Sequence, residues 1–290
     1  DRSGKVIKTE RPGNKFSHYE YDLAGRMSRI EHSDGTWATY GYNLNGQLIE
    51  AINQYSTLKL HRDKSDRVEM EEQDGYTVQS TYDALGFRAT IQSSLGAGIS
   101  LEHDALGSVN RLKTEHNGAS WQAHISYNGI GQEIERKMGV VSIYTQYDDA
   151  GRINEHRTKS NSRIQRHKQY EWGINDKLYK INDLLHRSSI SFDYDKFDNL
   201  VQRVTSNLQT ENLFRDETGN IFQTKDRKDR KYGTGGKLLH AKGNKYEYDA
   251  EGNLIRKETA SGDWLYKWAD NGLLEKIIRP DKKEVAFEYD

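Results

Sequence analysis

Cysteine is absent from the 290 residues, and proline occurs only twice. The first absence excludes disulfides and thiolate metal centres, and it leaves every redox compartment open. Apolar side chains make up 34% of the chain, and the mean hydropathy is −0.98. A domain with a thick interior carries nearer half its residues as apolar types, so the material for a large core is lacking. An excess of one charge is lacking too. With 43 basic residues against 44 acidic ones, no overall field directs the chain to nucleic acid or to an anionic membrane. No apolar run approaches the roughly eighteen residues of a membrane span. The opening Asp1-Arg2-Ser3-Gly4-Lys5 shows neither a start methionine nor a signal-peptide pattern, so the chain is expected to be part of something longer.

What is present argues against disorder, because the net charge is −1 and the chain holds 18 Tyr and 5 Trp. These aromatics recur at a period close to twenty residues. Related segments include YEYDLAGRM from Tyr19, YGYNLNGQL from Tyr40, FDYDKFDNL from Phe192 and YEYDAEGNL from Tyr246. Aligned on the aspartate, one column runs Asp1, Asp22, Asn43, Asp63, Asp83, Asp104, Asn128, Asp148, Gly173, Asp195, Asp216, Gly233, Asp249, Ala269 and Asp290. Glycine stands three residues beyond each of the first fourteen, except where Asp66, Asp176 and Asp198 replace it. Those exceptions are informative, since Asn and Asp follow Gly in tolerating positive φ.

The neighbouring columns have strand chemistry. Tyr precedes the aspartate nine times in fourteen and Trp twice, and a second large residue often lies two positions earlier. That spacing places both on one face of a strand. Five residues after the aspartate the side chain is aliphatic in twelve of fourteen units, which marks the start of a returning strand. Asp at the first and Gly at the fourth position suit a type I turn closing a hairpin. The turn and strand positions singled out are Tyr21, Asp22, Gly25, Tyr42, Asn43, Gly46, Tyr82, Asp83, Gly86, Tyr147, Asp148, Gly151, Tyr194, Asp195, Tyr248, Asp249 and Gly252. A second turn falls nine or ten residues before the next aspartate, as at Pro12-Gly13, Asp34-Gly35, Asp74-Gly75, Asn117-Gly118 and Pro280-Asp281. Both prolines occupy this place, where no ladder donor is lost.

Y-x-Y-D-x-x-G-R-L at this period resembles the YD repeat of bacterial Rhs proteins, of toxin-complex C components and of teneurins. The resemblance covers residues 1–290 as one array of about fifteen units, truncated at both ends. It implies an all-β fold: tandem hairpins in a coiled, single-layer antiparallel sheet, part of a spiral shell. Fourteen intervals of two strands at ~4.8 Å give a ribbon on the order of 130 Å long, and twisted sheets of that many strands curl or close. The resemblance further implies a wall segment around the C-terminal toxin domain of a secreted bacterial polymorphic toxin. Its partners would be neighbouring repeats of the same polypeptide and the enclosed toxin domain. A cell-surface module that binds carbohydrate or protein is the alternative.

No residue is assigned to catalysis, a cofactor or a metal, and nucleic acid is not expected as a partner. Tyr232–Leu238, YGTGGKL, lacks phosphate-loop spacing, and its Gly233 and Gly236 fall in the turn columns. Asp193, Asp195 and Asp198 resemble half a calcium loop without its glycine or terminal Glu. The longest intervals precede Asn128 and Gly173, and their extra residues are expected to form loops. The second of these holds the basic stretch 157–168, read as a solvated turn whose basic side chains could also contact an acidic glycan or a nucleic acid. DRKDRK at 226–231 reads as an exposed, charge-balanced tip. An isolated fragment of such an array is expected to present unpaired strand edges and to self-associate.

Overall fold

A computed structural model describes residues 1–289, so the last member of the aspartate column, Asp290, and the truncated hairpin expected there lie outside the described residues. The fold is all-β, with 58% of residues in strands and 2% in helix. The helical residues form two single 3-10 turns, Ile174–Asp176 and Thr234–Gly236. Among the described residues the strands form antiparallel sheets of twenty, two and seven strands, paired mostly between sequence neighbours as a train of hairpins requires. Contacts divide the chain into two units, one of residues 1–79, 217–220 and 228–290, the other of residues 80–216 and 221–227.

In the first unit, strands Lys8–Arg11, Lys15–Tyr21, Met27–His32, Trp37–Tyr42, Leu48–Asn53, Thr57–Arg62 and Val68–Gln73 follow one another as an antiparallel meander. A second meander runs from Arg230–Tyr232 to Glu284–Ala286. One face carries the paired large side chains: Tyr19 opposite Ile30, Tyr21 opposite Met27 and Tyr40 opposite Ala51. The other face is polar, with Glu50 opposite Lys59 and Lys59 opposite Glu72. The sequence alternation therefore segregates the two faces of each ladder.

The second unit continues the pattern, with one physical difference from expectation. The long intervals do not make loops. Residues added before Asn128 lengthen the hairpin Val109–His116/Ala119–Tyr127, and those before Gly173 lengthen Ile153–Ser160/Arg163–Trp172. Most strands elsewhere have six or seven residues; these have eight to ten. The tips are two-residue turns with positive φ, at Asn117-Gly118 and at Asn161-Ser162. Alternation carries on through the added residues, and a register shift between Thr158 and Lys159 takes up an odd residue. The basic stretch 157–168 is thus strand on both sides of its tip. A further departure is the unit at Asp216, whose strands Phe214–Arg215 and Ile221–Phe222 have only two residues each. The column spacing shrinks there, leaving too little chain for full hairpins. The exposed tip that follows ends at Lys228, because Asp229 and Arg230 are withdrawn into a mutual ion pair at 2.7 Å.

Interior is scarce in both units. Among the described residues, the buried apolar side chains are Ala123, Phe222 and Ala241, joined by the polar Ser17 and Ser80. Cross-strand pairs, each worth about 0.2–1 kcal/mol, hold the ladders by number.

Candidate functional site: the turn ladder

The repeated chemistry lies at the D-x-x-G turns. At Asp22 the Gly25 N–H donates to the Asp22 carbonyl at 2.9 Å, and the Asp22 N–H donates to the Arg26 carbonyl at 2.8 Å. Gly25 holds φ +81°. This is a type I turn followed by a left-handed residue, the usual closure of a three-residue hairpin loop. Gly46, Gly86, Gly151 and Gly252 lie at φ between +80° and +95°, and Asp66, Asp176 and Asp198 occupy the same region at +63°, +55° and +68°. Where glycine replaces the aspartate, at Gly173 and Gly233, the turn becomes the 3-10 form with two left-handed residues. Tyr232–Leu238 is therefore a repeat turn, closed by the Gly233 N–H donating to the Lys237 carbonyl at 2.7 Å.

The column carboxylate has a fixed role. Asp148 Oδ1 accepts the backbone N–H groups of Ala150 and Arg152, and Oδ2 accepts the Arg152 Nε–H at 2.8 Å. Asp63 does the same with Ser65 and Arg67. Asp22 binds Arg26 in the same way through backbone and guanidinium. At Asp83 the backbone N–H groups of Leu85 and Phe87 are the donors. Asp195 and Asp249 take an asparagine amide instead, from Asn199 and Asn253. Asn43 and Asn128 pair with Gln47 and Gln132. The side-chain hydrogen bond and charge of Arg152 hold the Asp148 carboxyl below its usual range, and Arg67 does so for Asp63. For Asp22 and Asp195 the leading cause is the backbone N–H of Arg26 and of Asn199.

The aromatic column reaches backward one unit. Tyr42 Oη–H donates to the Met27 carbonyl at 2.8 Å, Tyr147 to Glu133 at 2.9 Å, Tyr194 to Leu178 at 2.9 Å and Tyr248 to Leu238 at 2.9 Å. Tyr21 donates to Val6. Trp172 and Trp268 make the same bond through Nε1, and Arg62 and Arg215 make it through their guanidinium groups. Apart from Val6, which precedes the first strand, each accepting carbonyl belongs to the first residue of the preceding return strand. Ladder register shifts between the two residues before the aspartate, for example at Glu20/Tyr21, Gly41/Tyr42 and Gln146/Tyr147. Tyr, Trp and Arg each bring a donor at the tip of a long side chain to this carbonyl, whereas His103, before Asp104 in the same column, stacks on the Phe87 ring at 5.1 Å.

The residue four after the aspartate closes the ladder forward. Arg26 lies 4.7 Å from the Tyr42 ring centroid, Lys177 lies 5.7 Å from that of Tyr194, and Lys237 lies 5.9 Å from that of Tyr248. Arg26 Nη1 also donates to the Asn43 carbonyl. Sequence reading missed this column. Its signal was present as matched pairs, Asp with Arg and Asn with Gln, at a spacing of four.

The aspartates read as half a calcium loop are taken up in the repeat. Asp195 is used by its own turn, Asp198 pairs with Lys177, and Asp193 lies on the strand Ser188–Tyr194 opposite Gln202. Among the described residues, no group of three His, Asp or Glu is placed to hold a metal ion. A 340 Å³ hollow on the apolar face of the first unit is lined by Ala38, Tyr40, Ala51, Leu58 and the amides of Asn53 and Gln73, with no acid–base pair.

Comparison with known proteins agrees with this geometry. The Teneurin YD-shell family model matches residues 170–290. Over that stretch the chain is similar to teneurin YD shells. Double-stranded DNA deaminase toxin A of Burkholderia cenocepacia is 25% identical over 266 residues, covering 89% of this chain and 17% of that protein. Probable deoxyribonuclease RhsB of Dickeya dadantii is 25% identical over 155 residues, 53% of this chain and 9% of its own length. A solved Photorhabdus luminescens Tc holotoxin pore superposes with a TM-score of 0.65 at 14% identity, over 96% of this chain and 19% of the solved one, and so shares the fold. The chain spans less than a fifth of the length of each of these relatives.

Proposed function

We propose that this chain is a structural wall segment of an Rhs-type β-shell that encapsulates the C-terminal toxin domain of a secreted bacterial polymorphic toxin. The shell role rests on the fold. The observation that supports it best is that the recurring polar groups are consumed by the turn ladder: carboxylates bind their own turns, hydroxyls bind the previous unit, and cations cover the next ring. Such side chains build a sheet and leave no catalytic set, in keeping with a non-enzymatic role. The names of the relatives point to toxin activities that belong elsewhere in those much longer proteins. The reading makes 1–290 one array of repeats whose partners are further repeats and an enclosed domain, with export from a bacterium. Limited proteolysis of the full-length parent, beside a version lacking these repeats, tests it. Protection of the C-terminal domain is expected only with the repeats present; equal digestion in both would sink the enclosing role.

A second reading has one specific observation behind it. Lys113, His124 and Lys137 border a 530 Å³ hollow on one face of a lengthened hairpin. Cations grouped in this way suit an acidic carbohydrate. Binding on a glycan array that is lost when Lys113→Ala is combined with Lys137→Ala would move the assignment to a surface-binding module.

A further inference from the structure

Within the first unit, the C-terminal hairpins meet the N-terminal ones along a seam with a constant sequence offset. Lys15 Nζ donates to Glu251 Oε2 at 2.8 Å, the Asp270 N–H donates to Asp34 Oδ2 at 2.6 Å, and Asn53 Nδ2 donates to the Tyr289 carbonyl at 3.1 Å, each across 236 residues. In the first two cases a second turn of the N-terminal row faces a D-x-x-G turn of a C-terminal unit, and in the third Asn53 of such a second turn meets Tyr289. Arg11 adds an ion pair to Glu251 at 3.2 Å and a bond to the Asp270 carbonyl, Lys15 lies 3.5 Å from Asp270 Oδ1, and Ser33 Oγ–H donates to Asp270 Oδ2. The Lys15, Glu251 and Asp270 side chains are only 19%, 13% and 16% exposed, so these charges are screened less than ordinary surface pairs.

The geometry points to a charge code on the turn edges that selects this lateral register over a slip by one repeat. If the turn at Asp249 moved to face the second turn at Ser33-Asp34, Glu251 would meet Asp34, two like charges. The turn Gly233–Gly236 would then face Arg11 and Lys15, and it carries no carboxylate. A slip the other way takes Glu251 off both cations. In the observed register Arg11 and Lys15 share Glu251 and Asp270, and Asp34 receives the Asp270 backbone N–H while the Asp270 carboxylate is held by Lys15 and the Ser33 hydroxyl. Hairpin ladders repeat every twenty residues, so backbone pairing alone cannot tell neighbouring alignments apart. Discrimination by unfavourable charge at the wrong alignment supplies what the repeat lacks. The code does not depend on what the wall encloses, and it can fail while the enclosing role stands.

The absence of cysteine allows a clean test. Nitroxide labels on Glu10→Cys and Ala250→Cys, both at exposed positions, report the separation of the two rows by pulsed electron paramagnetic resonance. One narrow distance is expected for the otherwise unaltered chain. Arg11→Met with Lys15→Met should broaden it or add a population displaced by about 10 Å, two strand spacings. Glu251→Gln with Asp270→Asn, on the opposite row, should do the same, whereas Asn53→Ala, which removes an uncharged contact, should leave the distance alone. Unchanged hydrogen-exchange protection over residues 37–53 would show that the ladders stay folded in each variant. Retention of the narrow distance in both charge-neutralised variants overturns the proposal, as does equal broadening by Asn53→Ala.

Discussion

At the scale of single residues, two positions in each unit have requirements that substitution can separate. The turn glycine needs positive φ, which costs a side-chain-bearing residue about 1–2 kcal/mol. Gly25 is a poor place to measure this, because an added Cβ would also meet the Lys5 ammonium. Gly131, at φ +82° with nothing within 4 Å of the Cβ position, isolates the backbone term. Gly131→Val is expected to lower stability by about 1–2 kcal/mol and Gly131→Asn by less. Urea titrations in which Val and glycine are equally stable would remove the turn argument. The aromatic column needs its terminal donor. Tyr42→Phe leaves the Met27 carbonyl without its partner and should cost about 0.5–1.5 kcal/mol. Tyr42→Trp should cost less, since Trp172 and Trp268 already make the equivalent bond. Equal losses for Phe and Trp would show that ring packing, not the donor, sets the column.

At the scale of the element, the turn carboxylate makes hairpin stability depend on pH. The Arg152 side chain is the leading cause holding the folded Asp148 carboxyl below its usual range. A depressed carboxyl contributes stability that is fully present above the unfolded pKa, near 3.9, and is lost as pH falls through the folded value. Asn43 shows that an amide accepts the same two backbone N–H groups. Asp148→Asn should therefore keep the turn and lose only the guanidinium pair. It is expected to be less stable than wild type at pH 6, with the gap shrinking below about pH 4. A gap that stays constant down to pH 3 in denaturant titrations would deny the carboxylate this role. Much of the element was legible in the sequence. Asp22, Gly25 and Met27 sit where the period put turn, left-handed residue and returning strand, because each answers to local backbone geometry. The lengthened hairpins were misread as loops, since a longer interval does not say whether alternation persists through it; the Asn117-Gly118 tip was the available clue. Lys15 and Asp270 were not legible as partners, because nothing local joins residues so far apart in sequence.

At the scale of the whole molecule, the scarcity of buried apolar residues decides how stability is distributed. With Ala123, Phe222 and Ala241 as the buried apolar side chains among the described residues, no central cluster couples distant hairpins. What couples neighbours is the ladder: Arg26 touches both its own Asp22 and the next ring, Tyr42, while Tyr42 reaches back to Met27. Energetics of this kind approach a sum of repeat terms and nearest-neighbour interfaces, so a lesion should be felt locally. Native-state hydrogen exchange tests this directly, because it resolves opening unit by unit. In Tyr42→Phe, protection is expected to fall in the strands Lys15–Tyr21, Met27–His32, Trp37–Tyr42 and Leu48–Asn53, and to stay unchanged in Leu178–Asp183 and Ser188–Tyr194. A uniform loss across all of these strands would mean that the chain opens as one cooperative body. The ladder would then be only one contributor to a global transition, and its nearest-neighbour description would have to be abandoned.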